Sequence, residues 1–341
     1  MFKNSTMIMF YMTLIMSTFI VISSNSWLSA WIGLEINLLS FIPLMINKSN
    51  LMSAEASLKY FLTQALASSC LIFSVLLTMV NMNLISNMDM NFMNLMINST
   101  LLLKMGAAPF HFWFPEVMEG LSWLNNGILM TWQKIAPMML IYYCFSINFI
   151  IFIIIMSSLM GSLLGLNQTS LRKIMAYSSI NHIGWLLAGI LINQSTWMIY
   201  FLLYSFLSMT IVILFNFMQI FHINQTFSMK MSHPIMKFSI FSSFLSLGGL
   251  PPFLGFLPKW IIIQNLIMIN QPLLVLMMVM LTLITLFFYL RISFSALMLN
   301  YNMSMWSMKM NYKNMNLLLN LSMAFISIFG LLMINLMYTV M

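Results

Sequence analysis

Leu247-Gly-Gly-Leu-Pro-Pro-Phe-Leu-Gly-Phe-Leu-Pro-Lys-Trp260 sets three glycines, three prolines and a lysine inside an apolar run that extends from 238 to 268. Proline removes a backbone donor and clashes with the preceding turn, so in water this stretch would read as a loop. Its flanks are too apolar for that, and the run is read as a membrane-spanning helix broken in the middle. In lipid the freed carbonyls must find protein, side-chain or water partners. A second interruption, Lys104-Met-Gly-Ala-Ala-Pro109, falls in the run 92–110.

Working outward, 62% of the 341 residues are hydrophobic and 5% are charged, with a mean hydropathy of +0.97. A soluble domain carries about a quarter charged residues, so the solvent is lipid. A spanning helix takes roughly 20 apolar residues. Eleven such runs are predicted: 7–22, 27–46, 57–80, 92–110, 123–145, 147–166, 172–192, 196–220, 238–268, 273–298 and 316–338. No soluble domain is left over, and 1–341 reads as a single transmembrane domain.

The formal charge of +8 comes from 13 Lys and Arg that sit singly or in pairs at run ends or alone inside runs. That pattern excludes a nucleic-acid-binding face and fits topology signals and intramembrane ionisable sites. Lys3 precedes the first run; Lys48, Arg172 with Lys173, Lys230 with Lys237, and Lys309 with Lys313 mark the loops after runs 2, 6, 8 and 10. The alternate loops carry no Lys or Arg, so the N-terminus is expected on the side of synthesis and the C-terminus across the membrane. The 41 methionines, scattered where Leu or Ile would serve, point to a mitochondrial code and synthesis inside that organelle. The first 25 residues lack the features of a cleaved signal or transit peptide, and none is expected. Cys70 and Cys144 give neither a disulfide framework nor metal-ligand spacing and are expected as small core residues.

The two broken runs suit an ion path built on inverted repeats. Glu35, Lys104 and Lys134 are separated by 69 and 30 residues; His182, Lys259 and Arg291 by 77 and 32. An offset of five helices is odd, so the second set would be inverted. The repeats are expected over 1–146 and 147–299, followed by a loop and C-terminal helix over 300–341.

Each ionised side chain at a helix centre costs about 2.5–3.5 kcal/mol on the insertion scale. Glu35, Lys104, Lys134 and Lys259, left unpaired, would together cost on the order of 10 kcal/mol, comparable with a domain's net stability. They persist only if paired, hydrated or partly neutral. Burial disfavours a charged lysine and a nearby carboxylate restores it; if Glu35 approaches Lys104 the pair holds a proton, and separation releases it. Lys134 and Lys259 would pass that proton on through water. A static set of salt bridges locking helices together is the plain alternative.

His182 is the one histidine well inside a run, and a proton relay and a hydrogen-bonded structural role are both open for it. Lys59 reads as a snorkelling anchor. Glu116 and Glu119 could gather protons, although a solvated face explains them as well. A haem needs a further central ligand, and no Gly-rich phosphate loop, Cys cluster or paired His is present. The chain is expected to bind no cofactor itself, and its power to come from a partner.

Trp31-Ile-Gly-Leu-Glu35-Ile-Asn, Lys59-Tyr-Phe-Leu-Thr-Gln64, Lys104-Met-Gly-Ala-Ala-Pro-Phe-His-Phe-Trp113, Thr131-Trp-Gln-Lys134, Leu166-Asn-Gln-Thr-Ser-Leu-Arg-Lys-Ile-Met-Ala-Tyr-Ser-Ser179 and the opening stretch resemble the subunit 2 family of mitochondrial NADH:ubiquinone oxidoreductase, respiratory complex I. The resemblance runs from about 25 to 295. It implies an all-α, antiporter-like membrane fold with two inverted five-helix repeats, a broken helix in each, and three N-terminal helices missing from the animal members. By it, Glu35 pairs with Lys104 of the first broken helix, Lys134 is the central relay, and Lys259 is the lysine of the second broken helix. NADH, FMN, iron–sulfur clusters and ubiquinone would be held by partner subunits. The implied partners are other complex I membrane subunits, accessory subunits and inner-membrane lipids such as cardiolipin. The N-terminus would face the matrix and the C-terminus the intermembrane space. A free-standing sodium/proton antiporter shares this fold and is the rival reading, weakened by the lack of paired central carboxylates as hard ligands for sodium. A scaffold whose charges merely fix packing is the other.

Overall fold

The computed structural model describes residues 5–47, 50–84, 90–227, 234–298 and 314–340. Among them the regular elements are fifteen α-helices. They are α1 (Ser5–Ile22), α2 (Trp27–Met45), α3 (Leu51–Leu84), α4 (Met90–Met105), α5 (Trp113–Gly120), α6 (Trp123–Met130), α7 (Trp132–Tyr143), α8 (Ile147–Gly165), α9 (Leu171–Ile192), α10 (Gln194–Met218), α11 (Ile223–Phe227), α12 (Pro234–Gly248), α13 (Phe256–Met268), α14 (Pro272–Met298) and α15 (Asn314–Val340). Seven of the described helices are long and apolar enough to cross a membrane: α1, α2, α3, α8, α9, α10 and α14. Lys3, Lys48, Lys230, Lys309 and Lys313, on which the expected orientation leans, lie outside the described residues.

Three of the expected spans are pieces. The run 92–110 leaves the helix at Met105, 238–268 divides into α12 and α13, and 123–145, expected as one helix, divides into α6 and α7 at Thr131. Helix α3 also begins at Leu51, six residues before the apolar run that announced it.

The chain forms two compact units, Met1–Ile153 and Ile154–Met341. In the first, α2, α4 and α5 pack on α3, and α1 on α2. Helix α1 turns Met9, Met12, Met16 and Phe19 outward at a helical spacing, as a lipid-facing stripe does. Gly33 lets α2 approach, because a Cβ there would lie 2.6 Å from Val21 Cγ2. In the second unit α10 packs on α9 and α12, and α13 on α9. Buried Ser239, Ser242, Ser243 and Ser246 on α12 each donate to a carbonyl three residues back, at 2.8, 3.0, 2.7 and 2.7 Å. This local bonding lets hydroxyls sit in an apolar bundle without an orphaned donor.

The two breaks marked by glycine and proline use one device. After α4, Gly106 takes φ +73°, its N–H donates to Leu103 O and Ala107 N–H to Leu102 O, both at 3.1 Å. After α12, Gly249 takes φ +81°, its N–H donates to Ser246 O at 3.1 Å and Leu250 N–H to Leu245 O at 3.4 Å. Both are Schellman caps, in which a left-handed residue turns the chain off the helix and glycine bears that conformation without strain. At the third break the Thr131 hydroxyl donates to Gly127 O at 2.7 Å. Pro137 inside α7 crowds the carbonyl of Gln133, and the ladder gives way just upstream.

Candidate functional site

In the first unit Lys104 stands in the last turn of α4 and Lys134 in the first turn of α7, 8% and 1% exposed. Both line one cavity, together with Asn37, Gln64, Gln133 and Tyr60. Its volume, taken as space for the centre of a water molecule, is about 20 Å³, room for about one water. Gln64 Nε2 donates to the Lys104 carbonyl at 3.3 Å, and Gln133 Nε2 to Asn37 Oδ1 at 3.1 Å. Lys134 Nζ lies 5.5 Å from the centroid of the Phe114 ring, where the ring's negative face attracts a cation.

Glu35 sits on α2 beside Leu34, which lines the same cavity. Its charge reaches Lys104, yet the two are not in ion-pair contact, and Glu35 Oε1 is buried with no hydrogen-bond partner. Lys59 is not a lone anchor: its Nζ meets Glu116 Oε2 at 2.6 Å, with both side chains more than half exposed. His111 is buried in the first break, its Nδ1 3.3 Å from Pro109 O. Cys144 is buried as expected, whereas Cys70 lies on the exposed face of α3.

In the second unit Lys259, 7% exposed, starts α13 and folds back on the break. Its Nζ donates to Gly248 O, the last residue of α12, at 2.7 Å, and stands 6.0 Å from the Trp185 ring centroid. The negative end of a helix dipole suits that ammonium. A Cβ at Gly249 would lie 3.0 Å from Lys259 Nζ, so glycine is needed there for space as well as for φ. His182, on α9, is buried with Nδ1 2.8 Å from the Tyr200 hydroxyl. Arg291, which the spacing set against Lys134, is exposed instead, donating to Leu166 O at 2.8 Å.

Each of the three lysines buried among the described residues therefore lies at a helix break. Inside a helix every carbonyl is used; at a break some are free to solvate an ammonium. Such a lysine can be charged without a fixed carboxylate, as a proton-holding group requires.

Residues 24–285 match the family described as NADH:quinone oxidoreductase/Mrp antiporter, TM, and residues 286–338 match NADH dehydrogenase subunit 2 C-terminus. The chain belongs to the NADH:quinone oxidoreductase/Mrp antiporter family. It is 58% identical to NADH-ubiquinone oxidoreductase chain 2 of Anopheles gambiae over 97% of this chain and 98% of that one. The same-named chain of Aedes aegypti is 60% identical over the same shares. A chain in the structure of respiratory complex I from Thermus thermophilus with bound aureothin superposes with a TM-score of 0.84 at 19% identity, over 95% of this chain and 77% of that chain. A chain of the Mrp complex from Dietzia gives 0.75 at 17%, over 86% and 60%. These likenesses establish the antiporter-like helical fold.

Within this family member, sequence reasoning passed over the amides that line the cavity. Asn37 follows Glu35 by two residues and Gln133 immediately precedes Lys134, so both stood inside motifs already singled out. An amide one residue from an intramembrane lysine was the available signal. Tyr200, the partner of His182, carried none, because a tyrosine in an apolar run is ordinary. Among the described residues no three His, Cys, Asp or Glu side chains gather as metal ligands do.

Proposed function

We propose that this chain is a core, multi-pass inner-membrane subunit of the proton-pumping NADH:ubiquinone oxidoreductase, respiratory complex I, and supplies a proton route coupled to quinone reduction elsewhere in the assembly. The observation that carries the reading is the placement of Lys104, Lys134 and Lys259, all buried and each at a helix break. In this reading Glu35 and Lys104 form the switch. Closing the couple holds a proton on Lys104; opening it frees the proton toward Lys134, across a cavity with room for about one water. Lys259, solvated by the Gly248 carbonyl, takes the further step, and His182 belongs to the second half of the route.

Eleven spans arranged as two inverted five-helix repeats, 1–146 and 147–299, make the two breaks counterparts. The N-terminus faces the matrix and the C-terminus the intermembrane space. NADH, FMN, iron–sulfur clusters and ubiquinone reside in partner subunits, and other membrane subunits, accessory subunits and lipids such as cardiolipin surround the chain. The names of the insect relatives favour the complex over a free-standing antiporter.

Gentle detergent extraction followed by native mass measurement tests the assignment. The chain is expected to co-migrate with NADH:ubiquinone reductase activity in a very large assembly. A small particle without that activity, exchanging sodium for protons, would reverse it.

A further inference from the structure

The second unit holds a buried group of hydroxyls and rings that the lysine route leaves unused. Helix α10 places Tyr200 and Tyr204 one turn apart, both buried against α9. Tyr200 bonds His182 Nδ1 at 2.8 Å and lies parallel to Trp185, with ring centroids 6.4 Å apart and planes 2° off. Tyr204 lies 4.9 Å from the His182 ring and is hydrogen-bonded to Ser179. Lys259 also reaches this cluster, its ammonium 6.0 Å from the Trp185 ring centroid. The group thus joins α9, α10 and α13 around one imidazole.

We propose that Tyr200 is a positioning residue for proton transfer at His182. A phenol can do two things with Nδ1. When His182 is neutral the Tyr200 O–H donates to Nδ1, and the ring proton rests on Nε2. When His182 is charged both ring nitrogens donate, and the Tyr200 oxygen accepts from Nδ1. His182 takes up one proton and gives one back; Tyr200 keeps its own and only turns its O–H. The bond holds the ring in one orientation in both states, so Nε2 always points away from Tyr200. Trp185 fixes the plane of the phenol and ties it to the ring over which Lys259 sits.

This inference rests on the reading that protons pass through the second unit, and the test separates the two. Tyr200→Phe keeps the ring that stacks on Trp185 and removes only the hydroxyl. In the intact complex, reconstituted into vesicles, it is expected to slow proton pumping about tenfold, the order of effect of leaving a buried group without its hydrogen bond. Assembly mass and the KM for ubiquinone should stay unchanged. In a His182→Gln background the same change should add nothing further, because Tyr200 acts through His182. Wild-type pumping in Tyr200→Phe, or a further slowing in the His182→Gln background, would overturn the inference. Should Lys134→Met lose pumping while Tyr200→Phe does not, the inference alone fails. Should Lys134→Met pump normally, the lysine route fails whatever Tyr200 does.

Discussion

The breaks after α4 and after α12 end their helices with the same cap and serve their lysines differently. Lys104 precedes its glycine by two residues and belongs to the helix that ends there; Lys259 follows Gly249 by ten and reaches back to the carbonyl of Gly248. Both lysines are thereby associated with a helix C-terminus, where partial negative charge favours an ammonium. Their surroundings diverge. Lys104 has an acid within electrostatic range, amides and a water-sized cavity, whereas residues 154–341 contain no Asp or Glu at all. A carboxylate can move and switch its lysine; a backbone carbonyl cannot. In the proposed route the first break is the one that changes state, and the second the one that receives the proton.

The glycines give the sharpest way to separate the two. Gly106→Ala and Gly249→Ala each force a side chain into a left-handed residue, at roughly 1–2 kcal/mol. At 106 the new Cβ meets Phe114 at 3.1 Å, a packing contact, while at 249 it meets Lys259 Cδ and Nζ at 3.0 Å. Thermal stability of the assembled complex should fall by similar amounts in both. Pumping per NADH oxidised should fall further in Gly249→Ala, where the new side chain meets the lysine itself, than in Gly106→Ala; equal losses would erase the distinction between indirect packing and direct lysine placement. A smaller effect is expected at the surface of the first unit. Lys59→Ala breaks an exposed ion pair with Glu116, worth about 0.2–1 kcal/mol. Melting of the complex should barely shift, and a loss beyond about 2 kcal/mol would mean that the pair is no ordinary surface contact.

The breaks at Gly106 and Gly249 were legible because glycine and proline announce themselves wherever the chain is otherwise apolar. The break at Thr131 was not. Its cause, Pro137, lies six residues on and inside a helix that resumes around it, so the run 123–145 reads as continuous. The long-range pairings were beyond reach for another reason. Asn37 with Gln133, and Lys59 with Glu116, join residues 96 and 57 apart, and a single sequence carries periodicity but no distance between segments. Lys104, Lys134 and Lys259 were legible one by one, because a lysine in an apolar run is costly. Their common position at helix breaks emerges only when the helices are drawn.

The most direct test of the account is the number of protons pumped per NADH oxidised by an intact, fully assembled complex carrying Lys134→Met. Methionine is unbranched and one atom shorter than lysine, fills most of the same space in a position that is 1% exposed, and has no group that can hold a proton. The account predicts fewer protons per NADH at normal assembly mass. Full wild-type stoichiometry in that variant would contradict it.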